Sequence, residues 1–119
     1  MSPDDLPRPE VRVFPGRRSG VVILAVNGPL TIHNFFEFQD ATRRDSPVTI
    51  VDLAQVPFLD SAALGCLVGL HVSCERGRRK YAIVNIQERL KSIFHMTGLS
   101  DFLVIYPALE DAENALAPA

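Results

Sequence analysis

The sequence predicts a single α/β domain, with a mixed and mostly parallel β-sheet of about five strands flanked by about four helices. Three observations carry that expectation. The runs VVILAV (21–26), TIVDL (49–53) and YAIV (81–84) are nearly continuous apolar stretches rich in β-branched residues. Such runs fit strands covered on both faces, as in the middle of a parallel sheet. The segments between them repeat apolar residues at helical spacing, so strands alternate with helices. Finally, 119 residues, 47% hydrophobic and 22% charged, suit one ordinary globular core.

Taken in order, 11–14 (VRVF) alternates and reads as a short strand. The turn PGRRSG (15–20) leads into the strand 21–26, and a short antiparallel pair is the economical arrangement of the two. Residues 27–29 (NGP) end that strand. Residues 31–44 then read as a helix with Ile32, Phe35, Phe36 and Gln39 at helical spacing; Arg43 and Arg44 suit its negative C-terminal end. Asp45-Ser46-Pro47 stops it before the strand 49–53. The next helix, 61–76, ends at Gly77 and contains GCLVG (65–69), whose small residues, with Ala62 and Ala63, suit close packing on the sheet. The strand 81–84 follows. A helix over 87–97 places Leu90, Ile93 and Phe94 toward the core and closes at Gly98. A strand at 102–105 and a helix at 109–116 complete a β-β-α-β-α-β-α-β-α order with right-handed crossovers.

Composition excludes several functions. A net charge of −2 gives no general attraction to nucleic acid or to an acidic membrane. No apolar run reaches the roughly 18 residues of a membrane span. Residues 1–10 (MSPDDLPRPE) are acidic and proline-rich, unlike a signal peptide, and read as a disordered leader. Cys66 and Cys74 stand eight residues apart on one helix, hence about 12 Å apart and beyond disulfide reach. Reduced thiols and the missing signal point to the cytoplasm.

The stretch PFLDSAALG (57–65) sets a hydroxyl, Ser61, behind an acid where a strand hands over to a helix. As a hydrolase nucleophile Ser61 lacks the G-x-S-x-G frame, and His71 lies ten residues along the same helix, about 15 Å away. His33 and His95 are left open by spacing alone. His71 and Cys74 at i, i+3 supply two ligands, not the four of a structural zinc site. No phosphate-binding glycine loop is present. Neither a metal nor a cofactor is expected, and no enzymatic activity. Two roles remain: Asp60 or Ser61 caps the helix, or Ser61 receives a phosphate. A phosphate brings about −1.5 to −2 charges. The positive end of a helix dipole tolerates them, so docking would change and the fold would not.

Four segments together carry a family resemblance: VNGPL (26–30), TIVDLAQVPFLDSAALG (49–65), YAIVN (81–85) and RLKSIFHMTGLSDFLVIY (89–106). The chain resembles the STAS domain family, in its bacterial anti-sigma factor antagonist form, over residues 11–119. DSxxLG followed by MTGL in this order is the specific part. The resemblance implies a STAS-like fold and a non-enzymatic module. Such a module binds an anti-sigma factor that is also a serine kinase, loses binding once the kinase phosphorylates it, and is reset by a phosphatase. It makes Ser61 the phosphoacceptor and Asp60 the acid before it. The loop from Gly28 to Thr31 would lie near Ser61 and share a partner surface with Phe58, Asp60, Ala62 and Leu64. Leu59 and Leu64 would offer apolar contact unless one of them is core; Phe58 is open in the same way. Two positions depart from the family pattern. Ala62 and Ala63 replace the usual second serine and glycine, and Thr31 replaces an acid often found in the first loop. Alternatives are a STAS scaffold subunit of a signalling or lipid-transport complex, an enzyme using Ser61 or His33, and a nucleotide sensor using a groove between Gly28 and Ser61.

Overall fold

The computed structural model describes residues 10–43 and 46–116. Five strands form one sheet in the order β1-β2-β3-β4-β5. They are β1 (Glu10–Pro15), β2 (Val21–Asn27), β3 (Val48–Gln55), β4 (Lys80–Val84) and β5 (Ile105–Tyr106). β1 pairs antiparallel with β2, and every later pair is parallel. The expected mixed, mostly parallel sheet is therefore present, with its antiparallel hairpin at one edge. The leader expected over 1–10 lies outside the described residues except for Glu10, which already pairs with Asn27.

The helices are α1 (Phe35–Thr42), α2 (Ser61–Arg76), α3 (Glu88–Met96), α4 (Leu99–Phe102) and α5 (Leu109–Leu116). The main core lies on one face of the sheet. There Leu24, Val26, Val51, Leu53 and Ile83 meet Phe38 of α1, Leu67 and Leu70 of α2, and Leu90 and Phe94 of α3. A smaller core on the opposite face sets Ile23, Ile50, Ala82 and Val84 against Ala112 of α5. Strand side chains alternate between faces, so a strand covered on both sides must be apolar throughout, which explains the continuous runs. Each fully buried large side chain here contributes about 1.5–3 kcal/mol relative to exposure. No helix among the described residues is long and apolar enough to cross a membrane.

Three local expectations are corrected. α1 starts at Phe35, not at 31. Residues 31–34 form a turn in which the Asn34 amide donates to the Thr31 carbonyl (3.0 Å) and Asn34 Oδ1 accepts from the Thr31 amide (2.7 Å). That turn rotates the helix away from the expected stripe. Phe38 becomes its fully buried residue, while Ile32 and Phe36 are 59% and 65% exposed. Arg43 is the C-cap and pairs with Asp40 at 3.6 Å, whereas Arg44 lies outside the described residues.

In α2 the inward face is Ala63, Leu67, Leu70 and Cys74. Gly65 and Gly69 are exposed, and a Cβ added at either would meet nothing within 4 Å. The two glycines of GCLVG therefore do not serve packing on the sheet, whereas Cys66 packs against the main core and Ala63 is fully buried in it.

Of the strand expected at 102–105, Phe102 instead ends a helical turn and only Ile105 lies in a strand. Gly98 takes a left-handed conformation (φ +78°), which glycine adopts without steric cost, and ends α3. The chain restarts as α4, with the Leu103 amide donating to the Leu99 carbonyl at 2.9 Å. Only Ile105 and Tyr106 remain to pair with Ile83 and Val84. The added turn makes five helices where about four are expected.

Candidate functional site

The site sits where two loops leave the carboxyl ends of β2 and β3. After β2, Gly28 is left-handed (φ +96°), and its amide donates to the Gln55 carbonyl at 2.9 Å. A side chain at that φ would be strained, so glycine suits this close approach. Leu30 and Leu59 then form a single parallel bridge. The Leu30 amide donates to the Phe58 carbonyl (3.0 Å), and the Asp60 amide donates to the Leu30 carbonyl (3.3 Å). Both leucines are buried. The choice left open for Leu59 resolves to core, while Phe58 is 51% exposed and Leu64 is half-buried.

Asp60 holds the arrangement together. It is the N-cap of α2 in an extended conformation, and its Oδ1 accepts from the Ala63 amide at 3.0 Å. Its Oδ2 accepts from the Ile32 amide across the site at 2.8 Å. The Ala63 hydrogen bond, and after it that of Ile32, holds the Asp60 carboxyl below its ordinary range. The carboxylate is thus ionised at neutral pH, as a helix N-terminus favours.

Because Asp60 caps the helix, Ser61 does not have to. Ser61 is the first residue of α2, is exposed, and its hydroxyl has no hydrogen bond among the described residues. Ala62 is half-buried and Ala63 fully buried, so the methyl at the usual glycine position fills core space. Thr31 is half-buried; its Oγ1 accepts from the His33 amide at 3.2 Å. Gly28, Thr31, Phe58, Asp60, Ser61, Ala62 and Leu64 all lie on these two joined loops or the first turn of α2.

Two residues were missed as surface. Ile32 and Phe36, read at helical spacing, are exposed; Ile32 is hydrogen-bonded to Asp60 through its backbone, and Phe36 stacks near Phe35 with ring centroids 4.1 Å apart. The signal for them was polar rather than apolar: Thr31 and Asn34 make a turn that delays the helix.

The histidine and cysteine set apart by spacing have other neighbours. His71 Nδ1 lies 2.7 Å from the Tyr81 hydroxyl, and its Nε2 lies 3.2 Å from Glu75. The Tyr81 hydroxyl also accepts from the Val104 amide at 3.0 Å. Cys74 is buried, and burial pushes its thiol pKa up. Among the described residues, no group of three or more His, Cys, Asp or Glu side chains is placed to hold a metal ion.

The sheet order and the packing of α1 to α3 on one face of the sheet go with a recognised class. The chain belongs to the STAS domain family, whose profile matches residues 15–112. Its relatives narrow the likeness. An anti-sigma-B factor antagonist from Listeria monocytogenes is 32% identical over 62 residues, which cover 52% of this chain and 54% of that protein. The match thus spans about half the length of that curated relative. An anti-sigma factor antagonist from Mycobacterium paratuberculosis superposes with a TM-score of 0.81 at 23% identity, covering 98% of each chain. SpoIIAA, a Bacillus cell fate determinant solved in its phosphorylated form, gives 0.67 at 15% identity, covering 89% of this chain and 98% of that one. At such identities the structural likeness speaks for the fold alone.

Proposed function

We propose that this protein is a cytoplasmic anti-sigma factor antagonist that docks on a kinase-type anti-sigma factor and is released when Ser61 is phosphorylated. A phosphatase would reset it. The observation that carries this reading is the division of labour at α2: Asp60 takes the cap, and the exposed Ser61 hydroxyl is left unengaged.

The chemistry follows from that placement. Ser61 Oγ attacks the γ-phosphorus of ATP held by the partner, its proton passes to a base on that partner, and ADP leaves. The product carries about −1.5 to −2 charges. Within the free domain two effects oppose each other. The N-terminus of a 16-residue helix favours an anion by about 0.3–1 kcal/mol, and the Asp60 carboxylate repels it. Both act at an exposed position on the first turn of α2, outside the core, so the domain stays folded.

Docking responds differently. A partner seated on Ser61 with a standard footprint of about 800 Å² covers the neighbouring surface as well. That surface includes Ile32, tied to Asp60 through its backbone, and Phe58, at 59% and 51% exposure. Burying a phosphate among apolar contacts costs several kcal/mol in lost hydration. The modification therefore opposes association where the surface is most apolar.

The test is to incubate the protein with kinase-type anti-sigma factors and ATP and to locate any phosphate by mass spectrometry. Ser61→Ala should bind and never be released by ATP. Ser61→Asp should bind at least about tenfold more weakly, a loss of about 1.4 kcal/mol, with an unchanged Tm. Equal binding by both variants, or phosphate elsewhere, would overturn the proposal.

A further inference from the structure

We propose that the cleft between α3, α4 and the end of β5 binds a small apolar carboxylate. This is a second site, built from elements that contribute nothing to the Ser61 surface. The cleft encloses about 510 Å³, within the range of small-ligand pockets. It is lined by Ile86, just after β4, and by Ile105 and Tyr106 of β5, at the edge of the sheet.

The cleft exists because of the departure at residues 99–106. With β5 only two residues long and α4 coiled ahead of it, the edge of the sheet stops short. Phe94, fully buried, and the half-buried Ile86, Ile105 and Tyr106 then line one space. Ile86 and Ile105, backed by the buried Phe94, offer an apolar ligand a floor to pack against, while the Tyr106 ring packs toward the smaller core on the opposite face.

The rim selects the charge. Lys91 and His95 lie at i, i+4 on α3, on the same side of the helix, and both line the cleft. They are exposed, whereas the apolar residues lie deeper. The half-buried Ser100 adds a hydroxyl. No acidic side chain lines the cleft among the described residues. The nearest counter-charge is Glu88, whose Oε1 is 2.8 Å from Lys91 Nζ, with the two side chains 88% and 59% exposed. So exposed a pair is weak, and a ligand carboxylate can displace or share it. An apolar body with one carboxylate matches one fixed cation at the rim and an uncharged interior.

The probes are naphthoate and its neutral counterpart naphthamide, titrated to millimolar concentration while backbone amide resonances are followed by NMR. Naphthoate should shift Ile86, Ile105 and Tyr106, and naphthamide should bind at least about fivefold more weakly. Lys91→Met should remove that preference, and Lys91→Arg should keep it. Glu88→Gln should tighten naphthoate by up to about fivefold, the reach of an exposed ion pair. The proposal falls if no shifts centre on the cleft, if both probes bind alike, or if Lys91→Met leaves naphthoate binding unchanged.

Discussion

Helices α1 and α2 follow neighbouring strands, lie on the same face of the sheet and are both rich in apolar residues, yet they spend them in opposite directions. α2 turns Ala63, Leu67, Leu70 and Cys74 inward at helical spacing and leaves two glycines outside. α1 buries Phe38 fully and leaves Phe36 in solvent, with Ile32 exposed on the turn before it. A phenylalanine at helical spacing is therefore as consistent with a contact surface as with a core. What separates the two is the turn that sets the rotation of the helix.

The contrast can be broken at four places. The largest stability change belongs to the α2 face: Leu67→Ala, at a fully buried site, should cost about 2–5 kcal/mol in denaturant unfolding. Asp60→Ala removes the cap of α2 and the bond to the α1 side together, and should lower Tm by roughly 4–8 °C. Its pH dependence is fixed in sign. The folded-state pKa of Asp60 lies below the ordinary 3.8, so its contribution is complete above that value and fades as pH falls through the lower one. The Tm gap between wild type and Asp60→Ala should hold at neutral pH and close in strong acid.

A smaller effect of opposite sign is expected at Gly69→Ala. The helix interior prefers alanine by about 0.8–1 kcal/mol, and the added methyl meets open space. Smallest of all is Phe36→Ser, expected within about ±0.5 kcal/mol of wild-type stability. If Phe36 belongs to the docking surface, that variant should still weaken anti-sigma factor binding by about tenfold. A large loss of stability in Phe36→Ser would erase the contrast between the helices.

Much of this was legible in advance. Strands covered on both faces must be apolar at every position, so 21–26, 49–53 and 81–84 stood out, and α2 and α3 carried their inward residues at helical spacing. Asp60 and Ser61 were legible as a pair because acid and hydroxyl types mark helix starts. Which of them caps was not, since that depends on the 3.0 Å approach of Asp60 to the Ala63 amide. The start of α1 was hidden in hydrogen bonds between Thr31 and Asn34, which hydropathy does not record. α4 was hidden because FLVI (102–105) carries strand-like residues, while Gly98 and the helical bond from Leu103 to Leu99 decide the local path.

The two oxygens of Asp60 grip separate segments, one the start of α2 and the other the approach to α1. A surface tied this way is shaped in the free domain, so a protein that docked there would spend little entropy on ordering it. On the proposed reading, recognition would then rest on shape and hydration, and a change confined to a few atoms would suffice to reverse the outcome.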